Sequence, residues 1–130
     1  MANRTFQQFT QSLVPGFVIL TGKVAIGATG FPTLTTGQFN GIASVVRTGA
    51  GLYTITLQDK YVDFCSVTAS VISHAALPVV DVVVSAVDVV TAGTVNIKTV
   101  DWTTGATLTD PSSGDILVFT LTLANSTARL

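Results

Sequence analysis

The chain has 130 residues, 48% of them hydrophobic and only 10% charged, with six Lys or Arg, seven Asp, no Glu and a formal net charge of −1. The cations (Arg4, Lys23, Arg47, Lys60, Lys98, Arg129) are scattered, so the chain lacks the basic patch a nucleic-acid binder uses against phosphates. One cysteine, Cys65, excludes an internal disulfide and the multi-thiol zinc sites, and no apolar run approaches the ~20 residues of a membrane helix.

Thirteen charges spread over the roughly 6,500 Å² that a folded chain of this size exposes leave about 500 Å² per charge. A surface that poor in charge carries large apolar patches, and these mark interfaces. Packing against other subunits is therefore expected. The first 13 residues lack the apolar core of a secretory signal, so synthesis in the cytoplasm is expected, with departure only inside a larger particle.

In chain order, Phe6, Phe9 and Leu13 fall at helical spacing, and Thr5 with Gln8 can form a capping box. Residues 1–15 read as a short helix or an arm, ended by Pro15-Gly16. The run from Phe17 to Ile26 is a strand, interrupted at Gly22-Lys23 by a bend or bulge. A long Gly- and Thr-rich loop follows to Asn40, with Phe31, Leu34 and Phe39 as anchors. Gly41 to Thr48 and Leu52 to Gln58 make a hairpin around Gly49-Ala50-Gly51, with Tyr53, Ile55 and Leu57 facing the core. From Phe64 to Ser73, Cys65, Val67, Ala69 and Val71 form an apolar face opposite Ser66, Thr68 and Ser70.

Val79 to Val90 carries valines on both faces, which predicts cover on both sides, the second from another subunit. Thr94 to Trp102 changes phase, which predicts a bulge near Lys98 or Thr99. Turns at Thr103-Thr104-Gly105 and Asp110 to Gly114 precede a last strand, Asp115 to Leu123. About eight strands at this spacing predict an all-β fold, an antiparallel sandwich or jelly-roll-like barrel over residues 16–130.

Signals for chemistry are sparse. His74, the one histidine, sits beside Ser73, and neighbours on a strand point to opposite faces, so the pair makes no dyad. Cys65 has no cationic neighbour in sequence to activate it. Asp59 with Asp63, and Asp110 with Asp115, lack the ligand density of a calcium loop and read as turn formers. Trp102 is either a stacking platform, a partner's anchor or a core aromatic. No catalytic residue, metal or cofactor is expected.

Three stretches, Phe17 to Gly27 (FVILTGKVAIG), Gly41 to Tyr61 (GIASVVRTGAGLYTITLQDKY) and Phe119 to Ser126 (FTLTLANS), resemble small virion proteins of tailed bacteriophages. The resemblance implies a capsid decoration, or cement, protein: a β-rich homotrimer on the outer face of the shell, with the major capsid protein as partner. Binding only the assembled lattice would stabilise it by mass action. Composition assigns Phe6, Phe9 and Leu13 to docking on the shell. It assigns Val80, Val82, Val84, Val87, Val89 and Trp102 to subunit contacts. Two other readings compete: a receptor- or carbohydrate-binding head of a tail fibre, which needs an exposed aromatic cluster, and a tail component forming rings of six.

Overall fold

The computed structural model describes residues 16–33, 41–73 and 80–124, and these form two antiparallel sheets with no α-helix among them. The strands are β1 (Phe17–Ile26), β2 (Pro32–Thr33), β3 (Ile42–Gly49), β4 (Leu52–Leu57), β5 (Asp63–Ile72), β6 (Asp81–Asp88), β7 (Thr94–Asp101), β8 (Thr107–Leu108) and β9 (Ile116–Ala124). The first sheet runs β2-β1-β9-β5 and the second β3-β4-β7-β6, with β8 paired to β7. The expected sandwich is present; the nine strands among the described residues include two of only two residues. No described helix is long and apolar enough to cross a membrane.

The expected hairpin is β3–β4, turned through Gly51 at φ +66°. Alternation predicts its core face correctly: Tyr53, Ile55 and Leu57 are buried. The first and last strands pair along nine residues, Phe17↔Ala124 through Ala25↔Ile116, with no bulge at Gly22-Lys23. This pairing places Leu20, Val24 and Ile26 beside Leu117, Phe119, Leu121 and Leu123, all buried between the sheets. Each such side chain contributes about 1.5–3 kcal/mol by leaving water.

Three further expectations are corrected, two by a bulge that composition hides and one by the absence of a bulge. The valine-rich strand is not apolar on both faces. A bulge at Ser85, between the pairs Val84↔Ile97 and Ala86↔Asn96, resets the alternation, so Val82, Val84 and Val87 all face the core. Val80 and Val89, just outside the strand, are buried as well, and among the described valines of this segment Val83 and Val90 are left exposed.

Cys65 is not on the inner face. It is the extra residue of a bulge between Phe64↔Leu123 and Ser66↔Thr122, and its thiol is exposed. Strand β7, in contrast, has no bulge at Lys98 or Thr99, since its ladders to β4 and β6 are continuous there. The apparent phase change arises because Thr99 and Asp101 occupy inward positions. Thr99 is fully buried and donates its Oγ1 hydrogen to the Thr109 carbonyl at 2.6 Å. Asp101 accepts from the Thr103 backbone N–H at 2.8 Å. Both polar groups are paired, as buried polar groups must be.

Candidate interaction surfaces

Two outward faces and one end of the sandwich carry the side chains of interest. The outer face of the first sheet is set by register. Across β1, β9 and β5 its rows are Ile19–Thr122–Ser66, Thr21–Thr120–Thr68, Lys23–Val118–Ser70 and Ala25–Ile116–Ile72. Lys23 is the one charge among these twelve positions; the rest are hydroxyl or apolar. Shallow grooves of about 150 and 400 Å³ flank Val118 and Thr120, one towards Thr68 and Ser70, the other towards Thr21 and Lys23.

The outer face of the second sheet is also rich in threonine, but it holds Lys98, Asp81 and Asp88. At its far corner Trp102 is 60% exposed, in a short 3₁₀ turn that follows β7. Its indole N–H donates to Asp81 Oδ2 at 3.3 Å, which fixes the ring against the sheet. Asp81 pairs with Val100, which pairs with Leu108 on its other side, and Leu108 and Val83 are themselves exposed. These side chains make a small apolar patch around the indole.

A polar clasp closes the end of the sandwich where β1 leads into β2 and the β3–β4 hairpin turns. Arg47 occupies an inward register position opposite Tyr53. Its Nε and Nη2 donate to Asp110 Oδ1 and Oδ2 at 3.0 and 2.8 Å, a bidentate pair. Asp110 also accepts from the Gly51 N–H at 2.8 Å and the Tyr53 hydroxyl at 3.2 Å. The same hydroxyl lies 2.7 Å from the Gly30 carbonyl. Phe31 lies over the guanidinium, 5.1 Å from its carbon to the ring centroid. Only glycine fits at position 30, where φ is +78° and a Cβ would lie 2.4 Å from Asp110 Cγ.

The electrostatics follow from this geometry. Burial pushes the Tyr53 phenol well above its usual range, and the adjacent Asp110 carboxylate adds to the rise. Burial alone would raise the Asp110 carboxyl. The hydrogen bonds from Arg47 and Gly51, the charge of Arg47 and the Tyr53 hydroxyl outweigh it and hold the group below its ordinary value.

The interface valines expected from sequence, Val80, Val82, Val84, Val87 and Val89, have cover inside one chain, whereas Trp102 is available to a partner. Phe6, Phe9, Leu13 and His74 lie outside the described residues. Asp115 is buried and accepts from the Ser112 N–H, while Asp110 belongs to the clasp, so neither carboxylate is an open ligand. The clasp was not anticipated: Arg47 and Asp110 are 63 residues apart, and no local motif joins them. An arginine among inward positions of a hairpin was the available signal. No family model, curated protein or solved structure matches the chain.

Proposed function

We propose that this chain is a structural, non-catalytic virion subunit that decorates and stabilises a bacteriophage capsid as a homotrimer on the outer shell surface. The observation that carries the reading is the outer face of the first sheet, with one charge in twelve positions. Such a face can be buried against protein without stranding unpaired charges, and depletion of charge is the compositional mark of an interface core. Three strands spaced ~4.8 Å apart and four rows deep cover roughly 400 Å², about half of what one partner contributes to a standard interface.

A closed trimer is heterologous, so each copy must offer two different patches. On this reading the first-sheet face is one and the Trp102 patch, with Val83 and Leu108, is the other. The segment bearing Phe6, Phe9 and Leu13 would extend onto the shell as a docking arm. Spanning several coat subunits, the trimer would bind the assembled lattice and not its separated parts, which stabilises the lattice by mass action.

The test is solution mass by light scattering, followed by co-sedimentation with empty shells of the coat protein from the same genome. Three subunits and binding are expected. Thr120→Lys, which puts a charge in the middle of the face, should yield folded monomers. A wild-type monomer, or a Thr120→Lys trimer, refutes the interface assignment. The exposure of Trp102, with its indole tied to Asp81, favours one second reading, a receptor- or carbohydrate-binding head. Glycan binding lost in Trp102→Ala would select it, and a mass of six subunits would select a tail component.

A further inference from the structure

A sheet edge carries a row of N–H and C=O groups with no strand beside them, a template for any strand that arrives. Among the described residues, β1 and β5 bound the first sheet and β3 and β6 the second, apart from the two-residue β2. Three of these edges carry features that discourage pairing. β1, which β2 covers only at Ala25 and Ile26, has Gly22 and Lys23. β3 changes register twice and holds Arg47. β6 is bulged at Ser85 and has an Asp at each end. In β5 the equivalent devices, Asp63 and the Cys65 bulge, come before Ser66. From Ser66 to Ile72 its register against β9 is unbroken, and the segment contains no Gly, Pro or charge.

The ladder shows which main-chain groups of this segment are spare. The Ile26 N–H donates to the Asp115 carbonyl at 2.8 Å, so the odd-numbered residues of β9 turn to β1. The even-numbered ones turn to β5, where the Ala124 carbonyl accepts from the Val62 N–H at 2.9 Å. Their partners in β5 are Ser66, Thr68, Ser70 and Ile72. The N–H and C=O groups of Val67, Ala69 and Val71 therefore point away from β9, and no strand among the described residues is paired there. The bond from the Tyr61 N–H to the Val89 carbonyl, which ties this side of the first sheet to the second, comes before Ser66. The side chains of the same three residues face the core but are only partly buried, whereas Leu117, Phe119 and Leu121 of the next strand are 0–3% exposed. A strand laid along β5 would pair the spare groups and cover those side chains.

We propose that this strand is β5 of a second copy, running antiparallel about a two-fold axis at Ala69. Among the long edges of the chain, β5 itself is the one equally bare partner. This register uses every residue of the regular segment and sets like on like. On the inner face Val67 meets Val71 of the second copy and Ala69 meets Ala69; on the outer face Thr68 meets Ser70. The outward groups of Val67, Ala69 and Val71 form hydrogen-bonded pairs of two bonds each, about six main-chain bonds in all, and no charge faces another. The contact uses the edge and leaves the outer face of the first sheet open, so it goes beyond the trimer reading without competing for its surface. It is narrow, about 24 Å long and one ~4.8 Å strand spacing wide, against the ~1,000 Å² that a stable interface buries. Pairing is therefore transient in dilute solution and grows where copies are crowded together.

Disulfide trapping tests it, in full-length chains carrying Cys65→Ser. Thr68 and Ser70 are exposed, so a cysteine at either is tolerated. Across a non-hydrogen-bonded pair their Cβ atoms lie about 4.5 Å apart, within reach of a disulfide, while either residue is roughly 7–8 Å from its own copy. A mixture of Thr68→Cys and Ser70→Cys chains should cross-link at least 10-fold more than either variant alone. Ala69→Pro removes an N–H that points away from β9, a change an edge strand accepts, and should abolish the cross-link while far-UV CD stays that of the folded chain. The proposed trimer contact sets the first-sheet face against the Trp102 patch and brings no two β5 strands together, so the cross-link reports the edge and the solution mass reports the trimer. A mixture that cross-links no better than the single variants, or an excess that survives in folded Ala69→Pro chains, overturns the pairing and leaves the trimer reading as it stands.

Discussion

Replacing Asp110 by alanine takes the acceptor from three residues at once. The carboxylate receives Arg47 Nε and Nη2, the Gly51 N–H and the Tyr53 hydroxyl, at 2.8–3.2 Å. The Arg47 and Asp110 side chains are 20% and 22% exposed, so the pair lies between a surface ion pair, worth about 0–1 kcal/mol, and a buried one, whose rupture costs about 3–5 kcal/mol. With most of both side chains covered, and an N–H left without its acceptor, we expect Asp110→Ala to cost about 3 kcal/mol. That corresponds to a fall in Tm of about 10 °C for a chain of this size. Urea and thermal unfolding measure it, and a double-mutant cycle with Arg47→Met separates the pair from its surroundings. A favourable coupling energy is expected for charges in direct contact. A loss below about 1 kcal/mol for Asp110→Ala, or additive losses in the cycle, would show that solvent screens the clasp and that it does not hold this end together.

The same group predicts a pH dependence. Because the folded-state pKa of Asp110 lies below the unfolded value, the unfolded chain binds more protons in the interval between them. The contribution is thus fully present above pH about 4 and is lost as pH falls through the folded pKa. Wild type and Asp110→Asn should differ at pH 7 and converge in strong acid. A constant difference across that range would refute the assignment.

Other perturbations are simpler to read. Tyr53→Phe removes the hydroxyl shared by Gly30 and Asp110 and should cost about 1–2 kcal/mol. The raised phenol pKa means wild-type stability should also decline as pH climbs beyond about 10, and the variant should lack this component in alkaline denaturation curves. Gly51→Ala places a Cβ 2.7 Å from the Thr99 carbonyl oxygen at φ +66°, and a loss of at least about 2 kcal/mol should appear in urea unfolding. Cys65, lifted out of the ladder by its bulge, should react with a thiol reagent under native conditions at one equivalent per chain. Protection until denaturation would contradict its exposed position.

Much of the fold was legible in the order of residues. Period-two alternation placed Tyr53, Ile55 and Leu57 in the core, and Gly49-Ala50-Gly51 located the hairpin, because both signals act between near neighbours. Low charge raised the expectation of interfaces without locating them. Tertiary structure alone decided the pairing of β1 with β9, since nothing local in either strand selects a partner some hundred residues away. It also decided where β5 and β6 are bulged: Val67, Ala69 and Val71 face inward as their alternation predicts, whereas Cys65, the extra residue of β5, is exposed, and Ser85 resets the phase of β6. That is why the valines expected at a subunit interface fill the core, while Trp102, equally apolar in sequence, stands in solvent. The Arg47–Asp110 clasp belongs with these: a long-range charge pair forms only when two distant turns are brought together, and its strength depends on burial that the folded chain creates.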